Sequence, residues 1–210
     1  MNILIFSQHF WPETFRINEI AAELSKKNRV YVVSAWPNYN IKSKKKIFCY
    51  GVEKYKNVKI IRVPTIKRKN NKFLNIIFNY LSFIIYGIFI SQDKFDNTKF
   101  DVVISYATSP IYQAIPAIIY SKRKKIPIFL WVQDVWPEVL KDLNIINNNF
   151  IINVLNKSVK YLYKTCDYIL AQSSSIEKIL KKDYKNTYLA YNPSNISKFK
   201  KRNNANRRIK

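Results

Sequence analysis

Seven short stretches, at residues 2–7, 29–34, 58–63, 101–106, 127–132, 168–171 and 187–190, are almost continuously apolar and rich in β-branched side chains. Unbroken apolarity, rather than alternation, is what a strand covered on both faces requires. The intervening stretches repeat their apolar positions at helical spacing. Over 14–27 the inward face is Ile17, Ile20, Ala21 and Leu24, with Glu19, Glu23 and Lys26 turned outward. Over 109–122 the expected face is Ile111, Ala114, Ile115, Ile118 and Ile119, and over 150–164 it is Ile151, Val154, Leu155, Val159 and Leu162. Strand and helix in alternation predict an α/β fold, a Rossmann-like, doubly wound and mostly parallel sheet of about seven strands.

Residues 73–90 carry no charge and follow a basic run at 67–72. Eighteen helical residues span about 27 Å, slightly short of a hydrocarbon core of roughly 30 Å. The polar groups Asn75, Asn79, Ser82 and Tyr86 fall at i, i+4, i+7 and i+11, along one helical stripe. Such a stripe fits a helix packed on a sheet or lying in a membrane interface better than a helix spanning lipid.

The chain has 37 Lys and Arg against 13 Asp and Glu, a formal charge of +24. Solvated basic surfaces, an anionic membrane surface and nucleic acid are all compatible with that excess. No zinc-finger, basic-zipper or RNP-like pattern accompanies it, so a nucleic-acid partner is not expected. The two cysteines, Cys49 and Cys166, have no metal-type spacing and read as reduced thiols of a cytosolic protein. The N-terminus reads as a core strand and not as a signal peptide.

In a doubly wound sheet, ligands gather outside the carboxyl ends of the strands. Four clusters fall there: Gln8-His9-Phe10-Trp11-Pro12-Glu13, Trp36-Pro37-Asn38-Tyr39, Thr108-Ser109-Pro110 and Gln133-Asp134-Val135-Trp136-Pro137-Glu138. The first and last repeat the pattern Gln-X-X-Trp-Pro-Glu. A rim tryptophan offers sugar rings a flat apolar face, and a carboxylate can accept a hydroxyl proton. Trp-Pro-Glu can equally open a helix, with Pro at its first position and Glu near the positive dipole end. Asp134 could cap a helix, though its place directly after a strand suits a site. His9, the sole histidine, fits a structural or a site role, and Arg16 fits an anion contact or the first helix. Only two glycines, Gly51 and Gly87, are present, so there is no glycine-rich phosphate loop. No zinc cluster and no nucleophile elbow appear either.

The segments Pro12-Glu13-Thr14-Phe15-Arg16-Ile17-Asn18, Trp36-Pro37-Asn38-Tyr39, Asn79-Tyr80-Leu81-Ser82-Phe83 and Trp131-Val132-Gln133-Asp134-Val135-Trp136-Pro137-Glu138 stand in an order that resembles the family 4-like glycosyltransferase N-terminal domain. Within it, the likeness is to the WbuB-type transferases of surface polysaccharide synthesis. The resemblance covers residues 1–199, with 200–210 expected as a basic disordered tail. It implies the acceptor-binding half of a retaining GT-B enzyme that needs neither metal nor cofactor, the nucleotide sugar being a substrate. It implies a lipid-linked glycan acceptor at the inner face of the cytoplasmic membrane. A second, donor-binding domain is expected to be absent from this chain, and hence supplied by a separately encoded partner in a split enzyme or lost in a fragment inactive alone. Asp134 would carry the proton-relaying role. His9, Trp11, Glu13, Arg16, Asn38, Tyr39, Ser109, Trp136 and Glu138 would line the substrate cleft.

Overall fold

The apolar stretches pair into one sheet in a computed structural model, which describes residues 1–37, 49–66, 73–95, 97–142 and 148–193. Eight strands are present: β1 (Asn2–Phe6), β2 (Arg29–Ala35), β3 (Gly51–Tyr55), β4 (Val58–Val63), β5 (Val102–Ala107), β6 (Ile128–Val132), β7 (Tyr168–Ala171) and β8 (Thr187–Leu189). Their order is β3-β4-β2-β1-β5-β6-β7-β8, parallel throughout except for β3 against β4. The doubly wound sheet is as expected, with one strand more. β3 was missed because it is an antiparallel edge strand with half-exposed and exposed residues in alternation, not an apolar run. It returns to β4 through a tight turn in which Lys56 takes a left-handed conformation.

The helices are α1 (Arg16–Leu24), α2 (Phe73–Lys94), α3 (Ile115–Lys124), α4 (Glu138–Asp142), α5 (Asn149–Thr165) and α6 (Ser174–Lys181), with a 3-10 turn at Ile111–Ala114 before α3. They divide unequally between the two faces. α2, α3, α5 and α6 pack on one face, over Leu4, Phe6, Val33, Ile61, Val103, Leu130 and Ile169. α1 alone supplies the other layer, over Ile3, Ile5, Val30, Val32 and Ile60. The amino edge is closed by aromatic rings: Phe95 meets Phe100 at 5.2 Å and 88°, and Tyr31 meets Phe100 at 5.3 Å and 86°. Edge-to-face pairs of this kind contribute about 0.5–1.5 kcal/mol each beyond their buried area.

Two helical faces differ in part from the periodicity. Ile119 on α3 and Ile151 and Val154 on α5 are exposed, although each was expected inward. α5 seats the expected Val159 and Leu162 together with Ile152 and Tyr163, and its Ser158 Oγ lies 2.6 Å from the Tyr112 hydroxyl. On α2 the polar stripe is split, with Asn79 and Ser82 buried and Tyr86 exposed. Asn79 and Ser82 point into the protein, where Asn79 Nδ2 donates to the Ile66 carbonyl at 2.7 Å and Ser82 Oγ accepts from the Ile66 amide at 2.9 Å. Phe78, Leu81, Ile85 and Phe89 face solvent. The Trp11-Pro12-Glu13 cluster does not open a helix, since α1 begins at Arg16, whereas Glu138 does begin α4. Both cysteines are free, and burial pushes the Cys166 thiol up to about 12.

The rim beside β2 rests on a buried cation. Arg62, at the carboxyl end of β4, is 0 % exposed. Its Nε donates to Glu53 Oε2 at 2.9 Å, one terminal nitrogen donates to the Ala35 carbonyl at 2.8 Å, and the other to the Trp11 carbonyl. Desolvation lowers its pKa, opposed by the charges of Glu53 and Glu13. Arg62→Met should lower stability by about 3–5 kcal/mol, read from the urea midpoint, because Glu53 and two carbonyls lose their donor. A loss well under 1 kcal/mol would show that the network is not a structural support. Gly51 lies under the Trp36 ring, where an added Cβ would sit 2.4 Å from the ring edge. That ring is tied by its Nε1 to the Cys49 carbonyl at 2.6 Å. Gly51→Ala should therefore destabilise by about 1–3 kcal/mol through overpacking, measured as a fall in Tm.

Candidate functional site

The strand order reverses about β1: β2 lies on one side and β5 on the other. A crevice at such a switch point is where open α/β sheets bind ligands. Its floor is made of side-chain amides. Gln113, buried in the 3-10 turn, accepts from the Gln8 amide at 3.2 Å and donates to the carbonyl and hydroxyl oxygens of Thr108 at 2.7 and 2.8 Å. It thereby joins the loop after β1 to the loop after β5. Gln8 Nε2 donates onward to Asn79 Oδ1 of α2 at 2.9 Å.

Above this floor, the loops after β5 and β6 present a connected group. Ser109 Oγ donates to Asp134 Oδ2 at 2.7 Å, and the Trp136 indole Nε1 donates to Ser109 Oγ at 3.1 Å. Trp136 is held edge-on against Tyr112, with ring centroids 6.0 Å apart. Asp134, Ser109 and Trp136 are each half-buried, so the carboxylate is oriented yet open to a ligand. This is an oriented proton acceptor beside an aromatic plane.

The loop after β1 is built differently. His9 Nδ1 lies 3.0 Å from Glu13 Oε2, both side chains are buried, and the imidazole stacks on Phe15 at 5.0 Å and 10°. Asn18 of α1 clamps the loop, accepting from the Trp11 amide at 2.9 Å and donating to the Glu13 carbonyl at 2.6 Å. Trp11 stacks on Tyr55 at 5.3 Å. Arg16 sits at the start of α1, 3.5 Å from Glu19. Its charge and that of Asp134 act in opposite directions on the Tyr106 hydroxyl, which burial pushes up to about 12.

Of the expected site residues, Ser109, Asp134 and Trp136 come together directly, while Arg16 pairs with Glu19 at the start of α1. His9 and Glu13 form an inward pair. Glu138 begins α4, and its charge reaches the hydroxyls of Tyr163 and Tyr184. Asn38 and Tyr39 lie outside the described residues, as do the basic run at 67–72 and the tail at 200–210. Among the described residues no three His, Cys, Asp or Glu side chains are grouped as a metal site would need.

Several contributors escaped the sequence reading. Gln133 Oε1 accepts from the Tyr106 hydroxyl at 2.9 Å and from Asn192 Nδ2 at 2.7 Å, and Asn192 also donates to Gln172 Oε1 at 2.8 Å. Gln133 Nε2 is buried without a partner among the described residues, one position before Asp134. Gln8 and Gln133 open the two copies of the repeated motif, and that shared first position was the available signal. Nothing in the local pattern marked Gln113, Asn18 or Arg62.

No protein-family model matches this chain, and no curated protein matches it. Solved structures do. Acinetobacter baumannii MurG superposes with a TM-score of 0.51 at 11% identity, over 92% of this chain and 46% of that one. A trehalose-6-phosphate structure from E. coli, bound with UDP-2-fluoro glucose, gives 0.49 at 11% identity over 84% and 41%. Alpha,alpha-trehalose 6-phosphate synthase from Burkholderia multivorans gives 0.44 at 10% identity over 84% and 40%. The chain thus spans less than half the length of each. At these identities the likeness is one of fold, and the fold is the Rossmann-like half of a GT-B architecture.

Proposed function

We propose that this chain is the acceptor-binding half of a glycosyltransferase of the family 4-like, retaining kind, acting with a second half that holds the nucleotide sugar in cell-surface polysaccharide synthesis. The observation that carries this reading is the Ser109–Asp134–Trp136 group at the carboxyl edge of a GT-B-like sheet. An acceptor sugar would lie against the Trp136 ring, with its reacting hydroxyl donating to Asp134. Ser109 Oγ, itself receiving the indole N–H, fixes the carboxylate toward that hydroxyl. As the new glycosidic bond forms, the hydroxyl proton passes to Asp134 or to the departing phosphate of the donor. Arg16, on the far side of Tyr106, suits a diphosphate linkage on the acceptor.

The sheet offers a place for a second half. Beyond the edge of α1, the same face of β6, β7 and β8 carries the half-buried Phe129 and Leu170 and the exposed Tyr168 and Tyr188, with Phe129 and Tyr168 stacked at 4.5 Å and Tyr168 and Tyr188 at 6.1 Å. Parallel strands are normally covered on both faces, so this aromatic surface suits a packed partner.

Transfer from radiolabelled nucleotide sugars to membrane extract should require the donor-binding half to be present with this chain. In that pair, Asp134→Asn should lower kcat roughly 100-fold or more while leaving the Tm unchanged, the scale set by losing a positioned proton acceptor. Ser109→Ala should lower it less, because the carboxylate remains. Wild-type rates in Asp134→Asn would remove Asp134 from the chemistry. Saturable glycan binding with no transfer in any combination would instead identify a non-catalytic binding subunit.

A further inference from the structure

We propose that the groove at the amino edge of the sheet, where α1 turns into β2, is a binding site for a small oligophosphate anion. The groove measures about 480 Å³, and its lining includes Asn2, Ser25 and Asn28 with three bases, Lys26, Lys27 and Arg29. Arg29 opens β2 and stands beside Asn2 of β1 in the parallel register. The groove lies at the opposite end of β1 from Gln8. The five residues of that strand separate it by roughly 16 Å from the crevice that holds Ser109 and Asp134.

The observation that carries the proposal is that Lys27 and Arg29 have no structural task. Basic side chains after a helix ordinarily serve its last carbonyls or a nearby acid. Here the chain itself takes those carbonyls. The Ala21 carbonyl accepts from the Ser25 amide at 2.9 Å, the Ala22 carbonyl from the Ser25 hydroxyl at 2.7 Å, and the Glu23 carbonyl from the Lys26 amide at 3.1 Å. The Leu24 carbonyl accepts from the Lys27 and Asn28 amides at 3.3 and 3.1 Å and from Asn28 Nδ2 at 3.0 Å. The acids are committed too: Glu23 pairs with Lys26 at 2.7 Å, and Asp101 Oδ2 accepts from the Asn2 amide at 2.6 Å.

Among the described residues, neither Lys27 nor Arg29 has an acidic partner, and both are exposed. Lys94, Lys122, Lys160 and Lys181 differ, each lying within 4 Å of an Asp or Glu. Two further lysines raise the positive potential around the groove. Lys59 of β4 pairs in register with Tyr31, two residues along β2 from Arg29, and the Lys99 carbonyl accepts from Asn2 Nδ2 at 2.8 Å. Both lysine side chains are exposed. Crowded like charges repel, and an anion between them removes that repulsion.

The chemistry of the ligand follows from the two bases. A guanidinium holds one phosphate bidentately, and an ammonium two residues away neutralises a second as a point charge. No aromatic ring lines the groove, so no base-stacking platform accompanies the phosphates. A recess at a turn also suits a small anion better than a flat or extended one. None of these residues enters the sugar-transfer reading, and the two stand or fall separately.

Isothermal titration at low ionic strength tests the site without any transfer assay. Sodium pyrophosphate should bind saturably at one site per chain and raise the Tm. Lys27→Ala/Arg29→Ala should weaken that binding at least about 10-fold and abolish the Tm rise, since both charge-assisted contacts go. Lys157→Ala/Lys164→Ala removes the same charge from the exposed side of α5 and should bind as wild type. Both pairs are exposed, and Tm values unchanged without ligand would certify the fold of each variant. ADP should bind no more tightly than pyrophosphate; binding 10-fold tighter, still lost in Lys27→Ala/Arg29→Ala, would assign the phosphates to a nucleotide instead of a free chain. Equal weakening by the two double variants would reduce the effect to the diffuse attraction of a chain of charge +24 and overturn the proposal, as would the absence of saturable pyrophosphate binding.

Discussion

The carboxyl edge of this sheet depends on satisfying buried backbone and side-chain groups without glycine. Where parallel strands end, the chain must turn while its amides and carbonyls stay out of water, and each unpaired group costs about 1–3 kcal/mol. Turns in related architectures commonly use glycine to bring backbone close to backbone. Here the chain uses amide side chains instead. Gln113 reaches Gln8 and Thr108, Asn18 clamps Trp11 and Glu13, and Gln133, Gln172 and Asn192 close on one another. Gln113 and Asn18 each bond as both donor and acceptor, so a few such side chains tie together loops that are distant in sequence. Three X-Pro bonds in this region, Trp11-Pro12, Ser109-Pro110 and Trp136-Pro137, are cis.

That arrangement explains which parts of the molecule were legible in the sequence. Strands covered on both faces leave an unbroken apolar signal, so β1, β2, β4, β5 and β6 stood out within a residue or so of their observed ends. β3 follows a different rule, because an edge strand open to water alternates. Ile119 of α3 and Ile151 and Val154 of α5 were misjudged, and the inward side of α2 was left open, because periodicity identifies a stripe but not which stripe meets the core. Asn79 is buried because Gln8 and Ile66 lie opposite it, and those partners are 71 and 13 residues away in sequence.

The site was half legible for a related reason. A carboxylate or tryptophan directly after a strand announces itself, and Ser109, Asp134 and Trp136 came together as the positions suggested. The supporting residues gave no comparable sign. Arg62 reads as the fifth residue of an ordinary strand, and its role appears only where Glu53, Ala35 and Trp11 converge on it. His9 and Glu13 show the opposite case, where conspicuous residues at the rim satisfy each other inside the loop.

The distribution of apolar surface constrains how the molecule can be placed among its partners. Among the described residues no helix lies over β6 to β8 on the α1 face of the sheet, where Tyr168 and Tyr188 are exposed, and the helical layer on the other side exposes apolar side chains on its outer surface. These two surfaces are separated by the full thickness of sheet and helices, so no single flat partner can cover both. The carboxyl edge between them, with Ser109 and Asp134, is the position from which a group presented on one side can meet a group held on the other. The outward apolar stripe of α2 lies on one side of that edge, and the partly covered strands β6 to β8 lie on the other.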